Sequence, residues 1–414
     1  MTAGGTRDAA RALPLSALER AAGLVAGAEP GLAPALPVPD HRPARRVLED
    51  LLLDSLAGPR CVVSFSGGRD SSAVLATAVA VARREGLPLP VPVTLRFPGV
   101  ASTVEDDWQE RTIGHLGVSD WERIRIGSEL DLLGDVACGC LTRYGLLWPP
   151  NAYFHEPLFR AARGGRLLTG LDGDGLFGAW RWARAASVLA RRQRPGPKDA
   201  ARVAIALLPP ALRTVAVRRQ PLPPVTWLRP AAHAAFARLW TVETAKEPRR
   251  WDRRLAWYIG RRYLHLAQHS LALVAAGVGA QVRHPLAEPA FLAALARDGR
   301  AAGWGGRTET MRALFADVLP AAVIERRPKA EFGRALWRER ARAFAAGWDG
   351  DGVDAAMVDA GALRAAWAAE NPWFASITPL HTAWLAAHGA PRISRTSGGS
   401  PDPRPRRSPD AAGG

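Results

Sequence analysis

The sequence predicts an α/β fold: a parallel sheet with helices on both faces, continued by a largely helical C-terminal part. Three observations predict it. Between residues 61 and 126, short apolar runs alternate with helical patterns, the β-α-β-α-β order of a parallel sheet. The first run ends in a glycine turn that opens directly into a helix. From roughly residue 180 onward, the pattern is mainly helical.

Each element follows from its residues. Residues 1–43 are rich in Ala, Pro and Gly and read as a flexible arm with one short helix near Leu15–Leu24. Residues 44–57 carry apolar positions at helical spacing. Cys61–Phe65 reads as a buried strand, and a helix follows from about 71 to 84. Gly86 and the prolines at 88, 90 and 92 break that helix. Val93–Phe97 is a second strand. Residues 104–116 read as a helix, with Glu105, Asp106 and Asp107 at its N-terminus, where carboxylates favour the dipole. Trp121–Ile126 is a third strand. Arg166–Thr169 is a fourth, running into the acidic glycine loop Gly170–Gly178. Prolines interrupt the later helical region at 195–197 and 221–224. Residues 44–389 read as one domain and 390–414, rich in Ser, Pro, Arg and Gly, as a disordered tail.

Composition bounds the function. At 414 residues and 48% hydrophobic, with 15 Trp, the chain can bury a sizeable core. No apolar run is long enough to span a bilayer, and the N-terminus lacks the order of a secretory signal. A cytoplasmic location and no membrane partner are expected. Three cysteines, Cys61, Cys138 and Cys140, make neither a disulfide framework nor a zinc site and read as reduced thiols. The formal charge of +16 invites nucleic acid. Arginine is spread along the whole chain, however, so a diffusely basic surface is expected and nucleic acid is not an expected partner. His265 and His269 stand at i, i+4 without the Glu of a metalloprotease helix and read as core or surface residues.

The segment Ser66-Gly-Gly-Arg-Asp-Ser-Ser72 carries the chemistry. Helix N-termini present unpartnered N–H groups and partial positive charge, a cradle for phosphate. Gly67 and Gly68 let the main chain approach an anion, and Ser66, Ser71 and Ser72 can donate to phosphate oxygens. Asp70 would repel a phosphate unless a cation, Mg²⁺, stands between them. This is not the Walker loop, which needs a Lys after its second glycine. It is similar to the loop of PP-loop ATP pyrophosphatases, which cleave ATP between the α and β phosphates. On the second loop, Asp172 and Asp174 face the same site in this reading, and Asp70 with Asp174 would clamp the cation. Lys329 is one of three lysines in a chain that writes its other cations as arginine. Its retention suggests a task for a compact, tunable ammonium. The stretch Trp148–Tyr153 is a candidate pocket wall, with Tyr153 a candidate base.

Together these segments resemble the synthetase domain of the asparagine synthetase family, which includes β-lactam synthetase and the lasso-peptide cyclases. The family's Ser-Gly-Gly-Leu-Asp-Ser-Ser is similar to Ser66–Ser72, its Gly-x-Gly-x-Asp-Glu-Leu-Phe-Gly-Gly-Tyr to Gly170–Trp180, and its Arg-x-Pro-Phe-Leu-Asp to Arg283–Glu288. Its Leu-Arg…Leu-Pro…Arg-x-Lys-x-x-Phe is similar to Met311–Phe332. The order and spacing agree across roughly 60–390. The resemblance implies a PP-loop, adenine nucleotide alpha hydrolase-like core. It implies ATP and Mg²⁺ as cofactors, and an AMP-forming ligase that adenylates a carboxylate and passes it to ammonia or an amine. It assigns pyrophosphate to Ser66, Gly67, Gly68, Ser71 and Ser72, Mg²⁺ to Asp70 and Asp174, and catalysis to Lys329 and Asp172. Ser64, Leu95 and Gly170 join the nucleotide site, with the strand at Leu95–Phe97 offering backbone bonds to adenine.

Several positions depart from the family. Position 2 is Thr2 where a glutaminase domain carries its nucleophilic Cys, and too few residues precede Arg60 for that domain. Gly175 stands for the Glu after Asp174, Leu171 for an acid, and Thr308 for a Lys, with Arg307 beside it. These departures point away from asparagine and toward another small-molecule or peptide carboxylate, in cyclisation or tailoring, with a biosynthetic partner protein. The alternatives are a non-catalytic nucleotide-binding homologue and a PP-loop RNA-modifying enzyme.

Overall fold

The strands are β1 (Cys61–Ser64), β2 (Val91–Arg96), β3 (Glu122–Arg125), β4 (Arg166–Leu168) and β5 (Gln281–Arg283). In the computed structural model, which describes residues 11–31, 35–38, 41–178, 180–326 and 330–388, they form one parallel sheet. Its order is β3-β2-β1-β4-β5. Strand side chains alternate between faces, and here both faces are covered. Val63 and Leu168 enter one apolar core; their neighbours Val62 and Leu167 enter the other. This is why the central strands read as continuous apolar runs.

Ahead of the sheet lie α1 (Ala17–Ala22) and α2 (Ala44–Leu56); α3 (Arg69–Glu85) follows β1 and α4 (Asp106–Leu116) follows β2. Leu48 and Leu52 of α2, Val74 and Val79 of α3 and Ile113 of α4 fill the first core. Between β3 and β4 come α5 (Asp135–Tyr144) and α6 (Glu156–Ala161), which give Leu141 and Phe159 to the second. Beyond β4 the chain forms α7 (Gly173–Phe177), α8 (Ala183–Leu189), α9 (Asp199–Leu207), α10 (Pro210–Val217), α11 (Pro230–Ala245), α12 (Trp251–Ile259) and α13 (Arg262–Gly277). After β5 come α14 (Pro289–Gly299), α15 (Arg307–Phe315) and α16 (Ala321–Glu325). Four more, α17 (Gly333–Leu336), α18 (Glu339–Gly347), α19 (Ala360–Trp367) and α20 (Ile377–His388), complete the described chain. The proline breaks at 195–197 and 221–224 fall between α8 and α9 and between α10 and α11. No helix among the described residues is long and apolar enough to cross a membrane.

Three expectations need correction. The stretch from α1 to Glu29, within the expected arm, is anchored on the body, whereas Val38 is exposed. Ser16 and Glu19 close a capping box on α1, and Ala22 is fully buried. Arg262 holds Glu19 at 2.7 Å and Glu29 at 2.8 Å, and Trp227 Nε1 donates to the Ala21 carbonyl. Within the expected acidic loop, residues 173–177 form α7. β5 was not expected: it is a three-residue edge strand whose polar ends carry no strand signal. The expected tail, 390–414, lies outside the described residues.

From β1 the chain steps outward through β2 to β3, then returns to the far side of β1 for β4 and β5. The order therefore reverses between β1 and β4. Open parallel sheets bind ligands outside the carboxyl ends of their strands at such a point. The Ser66–Ser72 loop follows β1 and the acidic segment follows β4, so this topology joins two motifs about a hundred residues apart.

Candidate active site

The loop after β1 owes its shape to glycine and to its own hydroxyls. Gly67 has φ +81°, a conformation that a Cβ disfavours, and a Cβ there would stand 2.7 Å from Gln109 Cγ. Gln109 Nε2 donates to the Ser66 carbonyl at 2.9 Å, fixing the loop from α4. The Ser66 and Ser71 hydroxyls lie 3.1 Å apart, and Ser66 Oγ accepts from the Gly68 N–H. No side chain caps α3. Its first turn therefore meets the cleft with the donors and dipole that suit an anion. Ser72 departs from expectation. Its N–H donates to the Gly68 carbonyl, its hydroxyl is fully buried without a hydrogen-bond partner among the described residues, and it does not line the cleft. Gly67 stands just behind the lining, with its carbonyl accepting from Arg326.

The second loop presses on the first. A Cβ on Gly170 would stand 2.6 Å from the Ser71 amide nitrogen, and one on Gly173 would stand 2.3 Å from Asp70 Cγ. Gly170→Ala is therefore expected to cost about 1–3 kcal/mol and to spread the loops. Urea unfolding together with pyrophosphate release measures both; wild-type values for both would show that the apposition is not needed. Asp172 precedes α7 at φ +67°, in the left-handed region that Asp tolerates better than most residues. Its Oδ1 accepts from the Tyr258 hydroxyl at 3.2 Å, while its buried Oδ2 has no hydrogen-bond partner. Burial raises its pKa to about 6, a rise that the Tyr258 bond partly offsets.

Where the sequence places a cation, the structure places a guanidinium. Arg307, at the start of α15, reaches Asp70 Oδ2 at 2.6 Å and also pairs with Asp174. Arg69, the residue that departs from the family's Leu, donates to Thr308 Oγ1 at 3.2 Å and to the Ile324 carbonyl at 3.3 Å, tying α3 to α15 and α16. The donors at this junction are hard carboxylate oxygens beside an uncapped helix start. That set fits Mg²⁺ carried on phosphate oxygens. Among the described residues no group of three His, Cys, Asp or Glu gathers, so such a cation would depend on the phosphates to fill its shell.

A second cluster faces the first. Glu105, just ahead of α4, is 8% exposed and pairs with the Arg326 guanidinium, Nη2 to Oε1 at 2.7 Å. The same Oε1 accepts from the Ala330 N–H at 2.8 Å. Arg326 also donates to the Gly67 carbonyl at 2.5 Å and lies 4.9 Å over the Trp108 ring. Lys329 lies outside the described residues. Arg326 and Ala330, on either side of residues 327–329, both line the cleft and share one carboxylate.

The cleft is about 340 Å³, in the range of small-molecule sites. Ser64, Ser66, Gly68, Asp70 and Ser71 line one wall, and Gly170, Asp172 and Asp174 the facing one. Leu95 and Val93 of β2 with Phe154 and Phe332 make its apolar end. Phe154 and Phe332 meet edge-to-face at 5.5 Å, and both pack on Phe97. His155 lines this end, and burial lowers its pKa to about 4, so its ring is neutral near pH 7.

Tyr153 is not in the cleft: its hydroxyl donates to the Leu130 carbonyl in the second core, and its neighbours Phe154 and His155 face the ligand side instead. His265 and His269 bond to the carbonyls of Ile259 and Arg11. The three cysteines are free thiols. Burial raises Cys61 and Cys140 to about 12 and Cys138 to about 11, which leaves them unreactive. The residues missed by sequence reasoning are Arg307, Arg326, Gln109, Phe154 and Phe332. Arg307 stood beside a noted departure, and Phe332 closed a quoted motif. Nothing local distinguishes Gln109 from a surface residue.

The fold is a PP-loop-type α/β core, with the cleft at the switch between β1 and β4. The family model of asparagine synthase matches residues 48–386, and the chain belongs to that family. Membership supports an ATP-using, amide-forming ligase in general. A comparison with curated proteins gave no significant match.

Proposed function

We propose that this chain adenylates a substrate carboxylate with Mg·ATP, releases pyrophosphate, and couples the acyl group to ammonia or an amine in natural-product or peptide tailoring. When acid and amine belong to one molecule, the product is a macrocycle. One observation carries the reading: Asp70 and Asp174 converge within one guanidinium's span, beside the uncapped start of α3.

The chemistry follows from this placement. A carboxylate oxygen attacks the α-phosphorus, the bond to the bridging α-β oxygen breaks, and pyrophosphate leaves. Ser66, Gly68, Ser71 and the first turn of α3 hold the departing group, with Gly67 giving the loop its shape. Asp70 and Asp174 would hold Mg²⁺, which would supply neutralising charge to the phosphates. Val93 and Leu95 flank the adenine. The amine nitrogen then attacks the acyl carbon, AMP leaves, and Asp172 takes the amine's proton. Lys329 stabilises charge at the reacting centre, and the anchored residues on both sides of it, Arg326 and Ala330, support that role. Positioned cations and dipoles are the expected main source of acceleration.

Leu171 lines the cleft where asparagine-forming members carry an acid. This favours a carboxylate on an apolar body over aspartate. Work in the cytoplasm, with a partner protein delivering a peptide substrate, is consistent with three free thiols.

The test is formation of AMP and pyrophosphate from ATP in the presence of a carboxylate panel. EDTA is expected to suppress pyrophosphate to background, and excess Mg²⁺ to restore it. Nucleotide binding without α-β cleavage on any carboxylate would favour the non-catalytic homologue. Steeply salt-dependent tRNA binding would favour the RNA-modifying reading.

A further inference from the structure

Away from the cleft, α9 and α10 meet at an unusual corner. Every residue from Leu207 to Leu212 is exposed, across Leu-Leu-Pro-Pro-Ala-Leu. Leu207 is 52% exposed, Leu212 55% and, one turn along α10, Val215 62%. The corner is nevertheless fixed. Buried Arg213 donates to the Leu208 and Glu247 carbonyls, both at 2.8 Å, and Ala206 and Val217 root it in the body. Apolar surface of this kind, held outward by a buried anchor, needs an explanation.

Charge supplies it. Residues 181–219 hold ten Arg and Lys against one carboxylate, Asp199. Asp199 is buried and consumed by Arg184 and Arg202. Exposed Arg191, Arg194, Lys198, Arg218 and Arg219 have no carboxylate partner among the described residues. The sequence reading spread the basic charge evenly; residues 181–219 carry a dense share of it, and Arg218 and Arg219 follow exposed Val215 by about one turn at the end of α10.

We propose that the α9–α10 corner is a peripheral docking tip for a bilayer of anionic phospholipid. A groove for a peptide needs two sheltering walls, and six consecutive exposed residues form no groove. Exposed apolar side chains followed on α10 by cations without carboxylate partners suit a headgroup boundary, where the apolar groups insert and the cations meet phosphate. The lack of a spanning run, on which the expectation of no membrane partner rested, does not bear on surface contact. None of residues 181–219 lines the cleft, so docking and ligation can be measured separately.

The experiment is flotation of the full chain with phosphatidylcholine vesicles, with and without phosphatidylglycerol. Binding to the anionic vesicles is expected to be at least about tenfold tighter than to the neutral ones and to weaken with salt. Leu208→Asp/Leu212→Asp and Arg218→Glu/Arg219→Glu should each abolish flotation while circular dichroism and pyrophosphate release in solution stay unchanged. Absent flotation, equal flotation on neutral vesicles, or variants that float like the wild type would each overturn the proposal. So would an acidic soluble protein that occupies the tip while vesicles do not.

Discussion

Asp70→Asn is expected to lower pyrophosphate release by about 10²–10³-fold at saturating ATP while the chain remains folded. The two halves of this expectation have different causes. Asp70 lies in the first turn of α3, where a carboxylate stabilises the dipole, and it accepts from Arg307. Losing its charge there costs about 1–3 kcal/mol, because the pair is mostly buried but asparagine keeps an acceptor oxygen for Arg307. In the reaction the same charge is irreplaceable: an amide cannot hold a divalent cation against a polyphosphate as a carboxylate does. Pyrophosphate release and thermal unfolding, measured side by side, separate the halves. A variant that keeps more than about a tenth of the wild-type rate would remove Asp70 from the cation site.

Glu105→Ala is expected to be more damaging to the fold, by about 3–5 kcal/mol, because it strands the buried Arg326 guanidinium. It also deprives the Ala330 N–H of its acceptor. Two structural debts fall on one carboxylate, and both border the segment that carries Lys329. The double change Glu105→Leu/Arg326→Met provides the control. Replacing both buried charges with apolar side chains should recover much of the stability but not the pyrophosphate release. If the double variant were fully active, the pair would be structural only. Chemical denaturation and initial rates are the measurements.

What could be read from the sequence was what local spacing dictates. β1, β2, β4 and α3 were legible because a doubly covered sheet demands apolar runs, and because Gly67 and Gly68 punctuate the strand-to-helix turn. Ser66, Asp70, Asp172 and Asp174 could be found because each sits on a glycine loop beyond such a strand. β5 could not, since a short edge strand needs few apolar residues. Arg307 was hidden for another reason: its partners Asp70 and Asp174 lie far away in sequence, and one arginine among many carries no mark of its role. Tyr153 was misplaced by one residue, because the turn at 152–155 sends Phe154 and His155, not the tyrosine, toward the cleft. Helix α1 was expected, but its anchorage was not, because Ala- and Gly-rich composition gives no sign that Glu19 and Glu29 meet Arg262.

The reversal of strand order between β1 and β4 has a consequence for how the protein comes into being. Residues 61–125 can pair as neighbours while they emerge from the ribosome, but they build only one side of the cleft. Its other side arrives with β4, and Arg307 and Arg326 come well over a hundred residues later still. Closure over such distances is slow, since chain entropy must be spent before the contacts repay it. A prematurely terminated chain therefore contains the phosphate turn but has nothing to hold against it. The walls of the cleft meet only after the chain through Arg326 has been made.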